Sequence, residues 1–272
     1  MQNYLIKLVL VVIHLKIFNI KITRFVIFIT IVFLASCSKQ YHLQKIEAKN
    51  IGITNENQLN TSIETFIKPY RDHIEKDLDS ILAYNPTTLD KSIGEWQTNI
   101  GNFMADVCFQ KANVVFEKRF QKNVDICLLN HGGIRSIIPK GNITTRTAFE
   151  VMPFENNLII VALKGEQIIE MVNYFIKEKK PHPLSGIKVH LNADLIVQSI
   201  EVENKPLDQS KIYYVATSDY LSNGGDNMTF FLKNDGIFDL DYKIRNVLID
   251  YFKEVDTLTV ATDERIIIDK IR

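Results

Sequence analysis

The 272-residue sequence has little of what marks several classes of protein: three cysteines, one tryptophan, 11 glycines and 7 prolines. No glycine- or proline-rich stretch separates two cores and no internal repeat is present, so a single globular domain is expected. The spacing of Cys108 and Cys127 matches no metal or redox motif. We expect both to be small buried thiols, and a disulfide between them is the alternative.

The sequence also lacks an excess of basic charge, because 32 Lys and Arg residues balance 32 Asp and Glu residues. Residues 1–37 hold four of the basic residues and none of the acidic ones, so the remainder has 28 basic against 32 acidic residues and a net charge of −4. Binding to nucleic acid requires a basic stripe that neutralises phosphates. We therefore expect no nucleic-acid partner.

A short apolar run near the amino terminus indicates export. Basic residues precede the run at 25–35, which is shorter than the roughly 20 residues that span a bilayer core. The run ends in Leu34-Ala35-Ser36-Cys37, which resembles the bacterial lipobox, where a cysteine after small residues is lipidated. We therefore expect Cys37 to carry the lipid that holds the protein at a membrane.

This interpretation divides the chain into a signal peptide over 1–37, a tether over 38–61 and a folded domain over 62–272. The protein is then exported and anchored on the periplasmic or cell-surface face of a membrane. The alternative is an uncleaved membrane anchor, which the earlier apolar stretch at 4–20 favours.

Hydrophobic spacing in the body of the chain mixes helices with strands. It predicts helices over 62–84 with a break at Pro69, 101–111, 144–151, 164–179 and 242–255. It predicts strands over 124–129, 157–163, 187–191, 195–202, 211–218 and 265–269. Asn99 or Asn102 is the expected N-cap of the second helix. Because no regular βα repeat is present, the fold class expected is α+β, with mixed β-sheets packed with helices.

Two glycine pairs follow predicted strands. After the first strand come Asn130, Gly132, Gly133 and Arg135. The glycines allow a sharp turn and the close approach of a ligand, and an arginine beyond the turn can bind phosphate or carboxylate with two parallel hydrogen bonds. A structural turn with a surface arginine is the alternative.

The second pair, Gly224 and Gly225, lies between Tyr220 and Asp226. A carboxylate in such a loop can accept hydrogen bonds from ribose hydroxyls, and an aromatic ring can stack on a nucleobase. A packing tyrosine and a turn-capping aspartate are the alternatives. Taken together, the two loops supply what a nucleotide requires: a cation for phosphate, a carboxylate for ribose and a ring for the base.

Four segments in order resemble the carboxy-terminal domain of the 5′-nucleotidase family, and the match runs from about Ser62 to the end. They are Gly101–Asp106, similar to GN-hydrophobic-x-A-D; Asn130–Arg135, similar to N-x-G-G-I-R; Val151–Asn156 with Leu163–Gly165, similar to hydrophobic-P-F-x-N and L-x-G; and Tyr220–Asp226, similar to F-L-x-x-G-G-D.

The resemblance implies roles for individual residues. Arg135 stands where the family has a substrate-contacting arginine, and Asp226 where an aspartate holds the ribose. Tyr220 replaces the second phenylalanine of a base-stacking pair, and Asn173 is placed more loosely as a base contact. Gly101-Asn102 and Pro153-Phe154 are expected to be structural.

The chain departs from the family pattern in two places. The first stacking phenylalanine is expected shortly before Ser185, where this chain has Pro181-His182-Pro183-Leu184. His182 is expected in a solvated loop, and replacement of that ring by His182 is the alternative. A second family arginine is also missing, since residues 177–180 are Lys-Glu-Lys-Lys.

The family hydrolyses its substrates with two metals held in an amino-terminal calcineurin-like domain. The six histidines of this chain do not form the metal-binding motifs of that domain. We therefore expect no catalytic residue, metal ligand or cofactor in this chain, and a divalent metal only in a partner. The leading hypothesis is the nucleotide-recognition half of a hydrolase that is inactive alone and needs a separate metallophosphoesterase chain. A surface lipoprotein that only binds nucleosides or nucleotides is the alternative, and a scaffolding role is the third.

Overall fold

The computed structural model describes residues 2–35, 43–50, 52, 54, 59–261 and 263–269. The chain divides into two units, Met1–Leu59 and Asn60–Arg272. Cys37, the expected lipidation site, lies outside the described residues. No helix among the residues described has both the length and the hydrophobicity that crossing a membrane requires.

The described part of the chain contains the following elements. The helices are α1 (Gln2–Ala35), α2 (Thr61–Leu78), α3 (Asn99–Phe120), α4 (Thr145–Val151), α5 (Gly165–Glu178), α6 (Asp219–Ser222) and α7 (Ile244–Glu254). The strands are β1 (Ile81–Asn85), β2 (Ile126–Leu128), β3 (Gly141–Thr144), β4 (Asn157–Lys164), β5 (Leu184–Ser185), β6 (Ile187–Leu191), β7 (Val197–Val202), β8 (Lys205–Pro206), β9 (Ile212–Ser218), β10 (Gly236–Lys243) and β11 (Ile266–Ile268).

A five-stranded mixed sheet is the centre of the second unit. Its strand order is β10-β4-β9-β2-β5, in which β2 and β9 are parallel and the other neighbours are antiparallel. Alternate side chains of β4 enter different cores, because successive residues of a strand point to opposite faces. Leu158 and Ile160 pack in the core that contains α3 and α7, whereas Ile159 and Val161 pack in the core that contains α5.

Two smaller sheets complete the unit. The four-stranded sheet has the order β11-β6-β7-β8, and β1 pairs with β3 in an antiparallel sheet of two strands. Helix α5 buries Ile168, Met171, Val172 and Phe175, which recur at the three- and four-residue spacing of one helix face. The expected α+β class with mixed sheets packed with helices is confirmed.

The expected helix over 62–84 is too long. Helix α2 ends at Leu78 with Asp79 as its C-cap, and it contains Pro69 without a second start. The apolar residues beyond Asp79 belong to β1, where Ala83 and Asn85 are buried and Tyr84 is exposed. This two-residue alternation arises from pairing with β3, a distant segment that local spacing does not reveal.

Other expected element boundaries also change. Thr98, rather than Asn99 or Asn102, caps α3, since its hydroxyl accepts a hydrogen bond from the Gly101 backbone N–H at 3.1 Å. The expected helix over 242–255 begins at Ile244, because the preceding residues form β10 against β4. Helix α6 overlaps the start of the loop expected over 220–226, since it extends from Asp219 to Ser222.

The two cysteines of the folded unit are free and buried, which confirms the expectation for them. Burial raises the pKa of the Cys108 thiol to about 12, and it raises that of Cys127 well above its ordinary value. Both therefore act as small apolar core residues rather than as nucleophiles.

Candidate functional site

Three loops meet at one edge of the five-stranded sheet. Strands β2 and β9 are parallel neighbours, so the segments that follow them, Asn130–Arg135 and Tyr220–Asp226, leave the sheet at the same edge. Strand β4 is antiparallel to β9 and pairs Leu158 with Ser218, so the start of β4 lies at this edge too. The Thr217 hydroxyl donates to the Leu128 carbonyl at 2.8 Å and joins the two strand ends.

The three loops enclose an open cavity of about 410 Å³. Its lining combines backbone, amide, guanidinium, carboxylate and two aromatic rings, contributed by Asn130, Gly132, Gly133, Arg135, Phe154, Asn156, Tyr220 and Asp226. The structure therefore brings together the arginine, tyrosine and aspartate that the sequence singled out.

Asp226 is held by three other side chains. Its carboxylate accepts hydrogen bonds from Asn130 Nδ2 at 2.6 Å and from the Tyr220 hydroxyl at 2.9 Å, one on each oxygen. The Tyr174 hydroxyl donates to its backbone carbonyl at 2.7 Å. Asp226 has a φ of 51°, in the left-handed region that non-glycine residues seldom occupy, and these bonds stabilise that conformation.

Arg135 is exposed and nearly free of protein partners. Its Nη1 donates to the Gly132 carbonyl at 3.2 Å, and its guanidinium carbon lies 5.7 Å from the centre of the Phe154 ring. In the described part of the chain no carboxylate forms an ion pair with it. Such a guanidinium keeps most of its five N–H groups for an anionic ligand.

The glycines shape the two loops in different ways. A Cβ at Gly225 would lie 2.5 Å from the Tyr220 ring, and one at Gly133 would lie 2.7 Å from Asn130 Oδ1. Gly224 has a φ of +83°, which favours glycine. Gly224 and Gly225 do not line the cavity themselves, but they allow Tyr220 to pack against the turn that presents Asp226.

Phe154 and Asn156 are pocket residues that sequence reasoning missed. Phe154 was expected to be structural, but its ring is 39% exposed and lines the cavity with Tyr220. The cavity therefore has two rings, although residues 181–184 supply neither. The signal was an aromatic residue in a polar loop, yet only the antiparallel register of β4 places that loop beside the ends of β2 and β9.

His182 is buried, contrary to the expectation of a solvated loop. It is 6% exposed, its Nδ1 accepts a hydrogen bond from the His131 backbone N–H at 3.2 Å, and its ring packs against Tyr174. Burial, followed by the neighbouring His131, lowers the pKa of His182 to about 4. The neutral ring contacts the turn over 130–135 through the His131 N–H and is not part of the cavity lining.

Asn173 is separated from the other candidates. It lies on an exposed position of α5 and does not line the cavity, so its role as a base contact stays a prediction. Among the residues that the structure describes, no three His, Cys, Asp or Glu side chains lie close enough to hold a metal ion.

The fold and the cavity define a class: an α+β domain with an open polar and aromatic pocket at a sheet edge. Residues 81–233, more than half of the chain, match the family described as "5'-nucleotidase, C-terminal domain". The chain belongs to this family.

Individual relatives show the same similarity. The chain is 25% identical over 221 residues to an apyrase of Tabanus yao, covering 74% of this chain and 40% of that protein. It is 23% identical over 216 residues to a 5'-nucleotidase of Vibrio cholerae, covering 76% and 37%. The structure of a 5'-nucleotidase precursor from Thermus thermophilus has the same fold, with a TM-score of 0.63 and 24% identity over 77% of this chain and 43% of that one. The chain thus spans less than half the length of these relatives.

Proposed function

We propose that this protein recognises a nucleotide in the cavity at the sheet edge and presents its phosphate ester to a metallophosphoesterase carried by a separate chain. The reaction class is hydrolysis of a phosphoric ester in nucleotide catabolism. In this proposal Arg135 binds the phosphate, Asp226 binds the ribose, and the rings of Phe154 and Tyr220 bind the base.

The observation that carries the proposal is the convergence of these groups on one cavity of about 410 Å³. An unpaired guanidinium, a fixed carboxylate and two rings match the three parts of a nucleotide in charge and in shape. Holding the substrate in a reactive geometry can contribute several kcal/mol to catalysis without any catalytic group on the binding domain.

A partner is proposed because hydrolysis in this family needs metal, and the described residues offer no cluster that could hold it. The lack of a metal-binding cluster among the described residues also favours a second candidate function, in which the protein only binds nucleosides or nucleotides. We place this domain outside the cytoplasm, held by the lipid on Cys37.

Titration calorimetry with AMP and adenosine tests the ligand assignment. Arg135→Ala is expected to weaken AMP binding at least about tenfold, because a charged hydrogen-bonded pair contributes roughly 1.5–3 kcal/mol, and to change adenosine binding much less. Arg71→Ala is the matched control, since Arg71 is an exposed arginine on α2 that pairs with Glu64. Equal losses for the two ligands would contradict the phosphate assignment.

Phosphate release from AMP separates the two candidates. The purified chain with added Mg²⁺, Mn²⁺ or Zn²⁺ is expected to be inactive, and a metallophosphoesterase that co-purifies with it should restore hydrolysis. Hydrolysis by the chain alone would contradict the need for a partner. Tight binding without any hydrolysis in the co-purified mixture would favour the binding-only function.

A further inference from the structure

Helix α2 carries a row of apolar side chains that nothing in the described part of the chain covers. Ile63, Phe66, Tyr70 and Ile74 recur at spacings of three and four residues, so they lie on one side of the helix. These residues are 55–70% exposed. They are called the α2 stripe below.

The exposure of the stripe does not come from a loosely formed helix. The Asn60 side chain caps α2 by accepting hydrogen bonds from the Ser62 and Ile63 backbone N–H groups at 3.1 and 3.3 Å. Directly after the helix, Arg146 of α4 donates to the Asp79 carboxylate at 2.8 Å. No residue of α2 is buried. The helix is therefore capped and attached, while its apolar side remains in contact with solvent.

The size of the stripe indicates a binding surface. A single exposed apolar residue is common on proteins and needs no explanation. Four in a row present a contiguous patch on the order of several hundred Å², and a patch of that size marks a site for another molecule. The Phe66 and Tyr70 rings lie 5.8 Å apart between centres, so the patch has an aromatic pair at its middle.

The charges of α2 favour a protein partner over a lipid surface. Helices that lie in a membrane interface are rich in lysine and arginine on their polar side. The polar residues of α2 include four acidic side chains against three basic ones, a net charge of −1. They are Glu64, Asp72, Glu75 and Asp77, and Lys68, Arg71 and Lys76.

A second copy of this chain would bury too little surface through the stripe alone. The stripe provides on the order of several hundred Å², whereas a stable interface buries roughly 800 Å² on each partner. A partner that also covers the rim of the cavity reaches that area. Helix α4 connects the two surfaces, since Arg146 binds Asp79 beside α2, and Phe149 and Phe154 further along the chain are 41% and 39% exposed.

The position of α2 in the sequence points to the same partner. The match to the C-terminal domain of the family begins at residue 81, three residues after α2 ends at Leu78. The relatives are more than twice as long as the region they share with this chain. Because the shared region is a C-terminal domain, much of their remaining length precedes it. Helix α2 thus lies at the border that faces this remaining part.

We propose that the α2 stripe is the docking surface for the metallophosphoesterase chain, and that the docked partner extends along α4 to the mouth of the cavity. The proposal rests on the function proposed above and names the surface through which the two chains associate. Phe66 and Tyr70 are the central contacts, because large aromatic side chains at the centre of an interface contribute most of its binding energy.

The experiment measures docking and nucleotide binding separately. The full chain is affinity-purified from its native host, and Mn²⁺-dependent release of phosphate from AMP is measured in the eluate. Phe66→Ser and Ile74→Ser should each lower the co-purified activity at least about tenfold, because they remove apolar contact area from the interface. Both variants should bind AMP with the affinity of the wild type in titration calorimetry.

Val114→Ser is the matched control. Val114 is an apolar residue of α3 that is 60% exposed, and it lies outside the stripe and the cavity. The control should co-purify as much activity as the wild type. Circular dichroism is expected to show the same helix content in all three variants, since the replaced side chains contact solvent.

The outcomes separate this inference from the proposed function. If the stripe variants co-purify as much activity as the wild type, the partner docks elsewhere, and the proposed function stands without this surface. If they keep that activity but lose self-association or binding to phosphatidylglycerol vesicles, the stripe serves a second copy or a membrane instead. If the wild type itself co-purifies no activity, the two-chain function fails and the docking surface fails with it.

Discussion

Gly225 packs so closely against Tyr220 that an added methyl group would overlap it. A Cβ there would meet the Tyr220 ring at 2.5 Å and the Tyr220 backbone oxygen at 2.6 Å, and the backbone oxygen cannot yield as a flexible side chain can. Gly225→Ala should therefore displace Tyr220 from the turn, destabilise the fold by about 1–3 kcal/mol and weaken AMP binding. Urea denaturation and titration calorimetry measure the two effects.

Gly132→Ala is the control for this change. A Cβ at Gly132 would lie 3.5 Å from Asn130 Nδ2 and 3.9 Å from Asp226 Oδ2, which are ordinary contacts. Gly132→Ala should lower the free energy of unfolding by well under half as much as Gly225→Ala does. If both variants lose the same stability, crowding of Tyr220 is not the cause.

His182 should make the stability of the unit depend on pH. Burial lowers its folded-state pKa to about 4, below the ordinary value of 6.5 for a histidine, so the unfolded chain binds the proton more readily. The stability that the neutral His182 contributes to the fold is complete above about pH 6.5 and is lost as the pH falls toward 4. At 1.36 kcal/mol per pKa unit, the loss approaches about 3 kcal/mol.

His182→Asn isolates this contribution, because an amide oxygen can still accept the His131 N–H but cannot titrate in this range. Carboxylates shared by both proteins cancel in the comparison. The wild type should lose more stability than the variant between pH 7 and pH 4.5 in urea denaturation. Parallel pH profiles would show that His182 does not contribute.

At the scale of elements, Arg245 at the start of α7 fixes the loop that carries Phe154. It is buried, donates to the Pro153 carbonyl at 3.3 Å, pairs with Glu155 and lies 4.1 Å above the Phe149 ring. Arg245→Ala removes the carbonyl bond and the stacking contact. We expect it to destabilise the fold by about 2 kcal/mol and to weaken adenosine binding, because the ring is no longer held.

Glu155→Ala separates the ion pair of Arg245 from its hydrogen bond to the Pro153 carbonyl and its contact with the Phe149 ring. Glu155 is exposed, but its removal leaves the buried Arg245 guanidinium without its counter-charge, so Glu155→Ala should lower stability. The carbonyl bond and the ring contact remain, so adenosine binding should stay close to that of the wild type. Arg119→Ala removes another arginine that donates to a carbonyl, that of Leu240, away from the cavity, and should leave adenosine binding unchanged. An adenosine affinity unaltered by Arg245→Ala would contradict the role of Arg245 in holding the loop that carries Phe154.

The sequence predicts elements well where periodicity and tertiary pairing agree. Helix α5 and strand β6 lie within a residue of their expected positions, because their apolar spacing is that of the faces they bury. Strands β1 and β10 were missed, because each is defined by a partner distant in sequence. The same limit explains Phe154, whose place in the cavity depends on the register of β4 against β9.

The site residues follow the same division. Arg135, Tyr220 and Asp226 could be predicted because they flank glycine pairs after strands, and a parallel pair brings such loops together. The burial of His182 and the bond between Asn130 and Asp226 could not be predicted, since both depend on how separate loops pack.

At the scale of the whole molecule, anchoring and recognition should be separable. The pocket residues all lie within the unit Asn60–Arg272, whereas Cys37 precedes it. Expressed in a bacterial host, the full chain is expected to incorporate labelled fatty acid and to fractionate with membranes. Cys37→Ser should lose the label and bind AMP with the affinity of the wild type.

Cys108→Ala is the control for lipidation, because its thiol is fully buried and stays protonated at neutral pH. It should be labelled as the wild type is. A wild-type chain that fractionates with membranes without label would instead indicate that the apolar segment itself remains as an uncleaved anchor. Loss of AMP binding in Cys37→Ser would mean that recognition depends on the anchor, which the position of the pocket within one unit argues against.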